Sequence, residues 1–184
     1  MPTTVLLRPD FLTARTGTDE APATGRLAVG GRLALVDNGK PNAGVFLDVL
    51  ANLMQAQLKP SAVVRVRKSS AGESIRAEHL EQLDGTDLAL TGFGDCGSCT
   101  SWTVRDAAAI IELGIPTIVV VTTPFLPLAQ VVGTSLGMPE DVFLELPHPV
   151  NILDRASLEE LGATVLPRVL QMTGQAAGPA HDHD

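Results

Sequence analysis

The feature that most restricts what this chain can fold into is an alternation of hydrophobic period. Short continuous apolar runs at residues 33–36, 62–66, 87–92, 115–121 and 142–146 are each followed by a stretch whose apolar residues recur at helical spacing. The first unit shows the pattern. Leu33-Ala34-Leu35-Val36 stops at the turn Asp37-Asn38-Gly39-Lys40-Pro41, and Val45, Phe46, Val49, Leu50, Leu53 and Met54 then mark one helical face that ends near Lys59-Pro60. Further helices are predicted over 74–83, 100–113, 125–136 and 158–172. Gly114 caps the third, and the last is interrupted or restarted around Pro167.

Five strand-then-helix units without consecutive hairpins predict an α/β, three-layer, flavodoxin-like domain. Its five-stranded sheet is expected to be mostly parallel, in the order 2-1-3-4-5. Composition agrees. Hydrophobic residues make up 45% of the chain while aromatics are 3% and Tyr is absent, so the core must be built from Val, Leu, Ile and Ala, as in a buried parallel sheet. The single domain is expected over 31–174. Residues 1–30, rich in Pro, Gly, Thr and Ala, read as an N-terminal arm with a short strand-like Val5–Leu7, and the small polar residues 175–184 read as a disordered tail.

The net charge of −8 and pI near 4.9 exclude a protein that works by neutralising phosphate backbones, so nucleic acid is not an expected partner. No secretory leader pattern is evident, and no apolar stretch approaches the ~18 to 20 residues of a membrane span. A soluble cytoplasmic protein is expected. Its only cysteines, Cys96 and Cys99, are three positions apart. A bridge between them would close almost no loop and remove little entropy from the unfolded chain, which favours a chemical role.

In open α/β sheets ligands bind beyond the carboxyl ends of the strands, where the strand order reverses. Asp37, Asn38 and Lys40 follow the first run, Arg67, Lys68 and Ser69 the second, and Asp95, Cys96, Ser98, Cys99 and Thr100 the third. Thr122 and Thr123 follow the fourth, and His148 the fifth. Strands 1 and 3 should be neighbours, so the loop carrying Asn38 and Lys40 should face the cysteine loop. Cys99 falls just before or on the first helical turn, where free amides and the helix dipole favour a thiolate. Such a place can bring a cysteine pKa from about 8.5 down to ~3.5 to 7.5.

The candidate substrate-binding residues are Asn38, Lys40, Lys68, Asp95, Ser98, Thr100 and Thr123. Cys96, Cys99 and His148, the last held between two prolines, are the candidate catalytic groups. Blander readings stand beside these. The cysteines could be small buried residues of a glycine-rich turn, the lysines solvated loop charges and His148 a structural histidine. Asp106 reads as a helix-dipole residue at the start of the third helix, and Trp102 as a packing residue.

The segment Gly94-Asp95-Cys96-Gly97-Ser98-Cys99-Thr100-Ser101, with Asp106 and Glu112-Leu113-Gly114-Ile115-Pro116, resembles the signature of the UGSC family of proteins and selenoproteins. Many members carry selenocysteine at the first position of the U-G-S-C motif, where this chain has Cys96. The resemblance extends over about 33–170, including the Asp37–Lys40 turn, Lys68, Thr122, Thr123 and His148-Pro149. It implies a nucleophilic or redox role for Cys96, with Cys99 as the resolving partner. More remotely, the family resembles the selenoprotein B components of the glycine reductase group, in which a selenol attacks a substrate carbon and displaces a leaving group. Sulfur in place of selenium is the main departure, since it is less nucleophilic and a poorer leaving group.

Three functions follow from these readings. The first is a cysteine-dependent oxidoreductase or lyase acting on a small anionic molecule, with no cofactor. The second is a metal-binding protein or metalloenzyme subunit in which Cys96, Cys99 and His148 hold copper or zinc. The third is a noncatalytic subunit of a larger complex. A homo-oligomer and a paired subunit are both open.

Overall fold

The computed structural model describes residues 27–174. Its elements alternate as the sequence predicts: β1 (Arg32–Asp37), α1 (Ala43–Leu58), β2 (Ala62–Arg67), α2 (Ala77–Glu81), β3 (Leu88–Gly94), α3 (Gly97–Glu112), β4 (Thr117–Thr122), α4 (Leu126–Ser135), β5 (Phe143–Leu146) and α5 (Arg155–Met172). Short 3-10 turns at Thr123–Phe125 and Glu140–Val142 lead into α4 and β5. All five strands are parallel, in the order β2-β1-β3-β4-β5. The fold is therefore the three-layer α/β sheet expected. Most of the expected arm and the whole tail, residues 1–26 and 175–184, lie outside the described residues, as does the strand-like Val5–Leu7.

Strand burial follows position in the sheet. The central β3 and β4 are buried at every residue, whereas β2, at an edge, buries only Val66. Side chains alternate between two layers. On one face Leu33, Leu35, Leu88, Leu90, Ile118, Val120 and Leu144 pack against Phe46, Leu47, Leu50 and Met54 of α1 and Leu158, Val169 and Leu170 of α5. Each such aliphatic side chain contributes about 1.5–3 kcal/mol on full burial. The other face buries Ala34, Val36 and Ala89 with Leu83 and Ile110, and Val119 and Val121 with Val104, Ala107 and Ala129. Leu27, within the expected arm, joins the first layer.

Several boundaries differ from the expectation. The second helix is the five-residue α2 and not 74–83, because Ile75 is held by a side chain of α3 and Arg76 caps the helix from extended backbone. The third begins at Gly97 and not at 100, because Cys96 takes the N-cap position. The fourth strand starts at Thr117 rather than 115. The last helix runs unbroken through Pro167 and begins at Arg155, capped by Asp154, whose carboxylate accepts the Ser157 N–H at 2.8 Å. Pro167 and Ala163, whose carbonyl loses its helical donor, are both exposed, so water can satisfy the freed group.

Among the described residues no helix is long and apolar enough to cross a membrane.

Candidate active site

The turn from β3 into α3 carries the two thiols. Gly94 ends the strand packed so closely on α3 that a Cβ there would lie 2.6 Å from Thr100 Oγ1 and 3.1 Å from Thr100 Cα. Asp95 crosses the gap and Cys96 becomes the N-cap in extended backbone, with φ −154° and ψ 166°. Its sulfur accepts the Cys99 N–H at 3.3 Å, the work an Asp or Ser oxygen does at other helix starts. Reciprocally, Cys99 Sγ accepts the backbone N–H groups of Cys96 at 3.0 Å and Asp95 at 3.4 Å. Both sulfurs thus sit among orphan amides at the positive end of a 16-residue helix.

The two thiols live in different surroundings. Cys99 is 1% exposed, and its S–H lies 3.3 Å from both Asp95 Oδ1 and the Cys96 carbonyl, either of which can accept it. Burial first, then the Cys96 sulfur and the Asp95 carboxylate, push the Cys99 thiol up to about 12 against the Asp95 backbone amide, which opposes them. Cys96 is only half-buried. Burial works to raise it as well, but hydrogen bonds from Cys99 and Ser98 and the positive charge of Lys40 outweigh that and hold it below the ordinary thiol value. Of the pair, Cys96 gives up its proton the more readily and Cys99 the less.

Lys40 reaches this turn from the β1–α1 loop, its ammonium 2.9 Å from Asp95 Oδ1. Adjacent pairing of β1 and β3 brings the two loops together, as their strand order predicts. Burial opposes the lysine's charge, yet the hydrogen bond to Asp95 and the field of the two sulfurs keep its pKa above the ordinary value. Asp95 Oδ1 therefore joins the cation to the buried thiol. Ser98, exposed, keeps its hydroxyl 3.8 Å from Cys96 Sγ.

Other candidates from the sequence lie farther into the scaffold. Asn38 is 1% exposed, donates to the Phe93 carbonyl and Thr103 Oγ1 at 2.9 Å each, and accepts the Lys40 N–H at 3.2 Å. It buttresses the Lys40 loop against β3 and α3. Thr100 is wholly buried and its hydroxyl donates back to the Cys96 carbonyl at 2.6 Å. Thr123 donates to the Leu146 carbonyl at 3.1 Å, clipping the ends of β4 and β5 together. Lys68 is 3% exposed and its ammonium pairs with the equally buried Asp106.

Asp106 itself is not at the start of α3 but in the helix body, where its other oxygen accepts the Ile75 N–H at 2.7 Å. Burial raises its pKa by more than Lys68 and the Ile75 amide lower it. The sequence signal was present. Cys99, Thr103, Asp106 and Ile110 fall on one helical stripe, and an acid inside a buried stripe calls for a buried cation.

His148 is exposed, its ring edge-on to Phe125 with centroids 5.8 Å apart and its Nδ1 3.1 Å from Thr122 Oγ1. The same threonine hydroxyl donates to the Gly94 carbonyl at 3.3 Å. With that proton committed, His148 Nδ1–H is the donor to Thr122. Among the described residues one group of three offers ligand atoms within 4.8 Å of one another: Asp95, Cys96 and Cys99. The expected third ligand, His148, is not in that group, because its ring is turned to Thr122 on the neighbouring strand.

Comparison with known proteins places the geometry in context. The model of the UGSC family matches residues 5–175. No curated protein gives a match. Among solved structures, the TIR domains of the activated Roq1 resistosome directly recognizing the pathogen effector XopQ are similar at a TM-score of 0.34 and 13% identity, over 84% of this chain and 92% of that one. A likeness that loose says nothing of chemistry.

Proposed function

The chain belongs to the UGSC family, and from that premise we propose that it is a thiol-dependent enzyme using its Cys-Gly-Ser-Cys pair on a small anionic substrate in the cytoplasm. The observation that carries this reading is the division of the pair: an accessible Cys96 held below the ordinary thiol value beside a buried Cys99 pushed up to about 12. Such a pair separates nucleophile from proton donor. Cys96 Sγ attacks an electrophilic carbon of the substrate, forming the S–C bond as the leaving group departs with its electron pair. Cys99, giving its proton toward Asp95, then attacks Cys96 Sγ. The S–C bond breaks, the substrate carbon leaves with the electrons and takes a proton, and the Cys96–Cys99 disulfide remains. The substrate has then been reduced by two electrons, and a dithiol reductant returns the pair to its starting state.

Lys40 supports the anionic part of the substrate and His148 Nε2 moves a proton at the site's edge. The negative net charge of the chain supports a small-molecule partner and not a nucleic acid.

The clustering of Asp95, Cys96 and Cys99 favours a second reading, a soft metal ion such as zinc or copper on those three ligands. One experiment separates the two. Alkylation of the purified chain across pH, with mass-spectrometric site assignment and metal analysis of the same sample, should find Cys96 modified near neutral pH in metal-free protein. Thiols that resist alkylation until a chelator strips a stoichiometric metal would replace the first reading by the second.

A further inference from the structure

A cavity of about 490 Å³ lies between the start of α1 and the β1–β2 edge, within the size range of small-molecule sites. Pro41 and Val45 give it apolar wall over the buried Leu35 and Leu47, and its charged lining is Lys40, Arg65 and Arg67 against Asp37 and Asp48. The cations differ in commitment. Arg65 Nε donates to Asp48 Oδ1 at 2.7 Å and Lys40 is held by Asp95 at 2.9 Å. Arg67 has a looser partner, Asp37 Oδ2 at 3.5 Å, and its side chain is 76% exposed. Its planar fork of N–H donors is open to an acceptor of matching shape.

We propose that this cavity binds a small monocarboxylic acid, its carboxylate held by the Arg67 fork and its apolar body lying against Pro41 and Val45. The charge of the walls selects the class. Lys40, Arg65 and Arg67 each have a carboxylate partner, in Asp95, Asp48 and Asp37, and of the three Arg67 is the one held loosely enough to take a further acceptor, which suits a monoanion, whereas a phosphate dianion would meet Asp37 and Asp48 at close range. The apolar wall selects against a bare inorganic ion, which has no surface to bury there. Lys40 lines this cavity and also bonds Asp95, so an occupant lies one side chain away from the thiol turn. The inference stands on the cavity and not on thiol reactivity.

The test is an NMR titration of the isotope-labelled full chain with sodium hexanoate, hexanol and inorganic phosphate as separate probes at fixed ionic strength. Hexanoate should move the amides of Gly39, Val45 and Arg67 saturably, with a dissociation constant on the order of 1 mM or tighter. Arg67→Gln should weaken binding about tenfold or more, as loss of a hydrogen bond to a charged group does, and Arg67→Lys should fall between, keeping charge without the fork. Arg67 is so exposed that neither change reaches the core. The proposal is overturned by shifts that do not saturate, by equal affinity for hexanol, by tighter phosphate binding, or by an Arg67→Gln chain that binds like the wild type. Because the measurement uses no thiol chemistry, failure here leaves the role of Cys96 standing, and an inert Cys96 leaves this site standing.

Discussion

Cys96 Sγ accepts the Cys99 N–H at 3.3 Å while Cys99 Sγ accepts the Cys96 N–H at 3.0 Å, so each sulfur caps the other residue's amide. Two anions that close repel, so the sulfurs do not ionise together and one gives up its proton first. The exposure of the pair decides which, because Cys96 meets solvent and Cys99 does not. Cys99→Ala removes an S–H donor to the Cys96 thiolate. The midpoint of Cys96 alkylation should then move up toward the ordinary 9.0. An unchanged midpoint would mean that Lys40, Ser98 and the helix amides set the charge alone.

The same division predicts an alkaline weakening of the fold. Cys99 keeps its proton in the folded chain up to about 12 but loses it near 9.0 when unfolded. Between those values the unfolded chain binds fewer protons, so stability falls as pH rises. Cys96 acts with the opposite sign, its contribution being present above 9.0 and lost as pH falls through its lower folded value. Urea unfolding of wild type and Cys99→Ala, compared from pH ~9 upward, should show the steeper decline in the wild type. Parallel declines would assign the slope to other groups.

How far the sequence reached can be read from particular residues. The sheet was legible because buried parallel strands are continuous apolar runs and their helices repeat at 3.6, and Leu33–Val36 followed by the Val45 to Met54 stripe shows both signals. The meeting of Lys40 with the thiol turn followed from strand order alone. The short α2 was not legible, since what delays its start is a tertiary bond from Ile75 to Asp106, absent from any local window. Nor was the unbroken α5, since a proline is tolerated there only because that face of the helix meets water. Asn38 and Lys68 stood at the expected edge of the sheet, but whether a polar side chain at that edge faces inward or outward depends on partners from other elements, here Thr103 and Asp106.

Lys40→Met tests the electrostatic half of the site. The ammonium is bonded to Asp95 and contributes to lowering Cys96. Its loss should slow Cys96 alkylation at neutral pH severalfold and steepen the dependence on pH above it. Lys40→Arg, which keeps the charge, should retain most of the rate. A methionine variant as reactive as the wild type would remove Lys40 from the thiol's environment.

The buried Lys68–Asp106 pair predicts a double-mutant cycle with a large coupling. Both side chains are at most 2% exposed, so removing one partner strands the other's charge away from water. Lys68→Met and Asp106→Leu should each cost about 3–5 kcal/mol, and the double variant should recover most of that. Asp106→Leu also frees the Ile75 N–H, so faster amide exchange at Ile75 should accompany both variants that lack the carboxylate. Additive losses measured by urea unfolding would show that the two groups act separately.

Two glycines of the thiol turn, Gly94 before the sulfurs and Gly97 between them, should respond oppositely to alanine. A Cβ at Gly94 would stand 2.6 Å from Thr100 Oγ1 and 3.1 Å from its Cα, and the latter is helix backbone that cannot swing aside. Thr100 in turn donates to the Cys96 carbonyl at 2.6 Å, so a shift of the first turn of α3 carries into the residue that caps it. Gly94→Ala should therefore cost about 1–3 kcal/mol, as overpacking does, and raise the midpoint of Cys96 alkylation as the reciprocal caps lengthen. At Gly97 a Cβ would meet nothing within 4 Å, and the residue is the first of the helix. Gly97→Ala should be neutral or stabilise by up to about 1 kcal/mol through the unfolded chain, with Cys96 alkylation unchanged. If Gly94→Ala proves equally harmless in urea unfolding and alkylation, the close packing of β3 on α3 is not what holds the sulfurs in place, and their geometry must be set by Asp95 and Lys40.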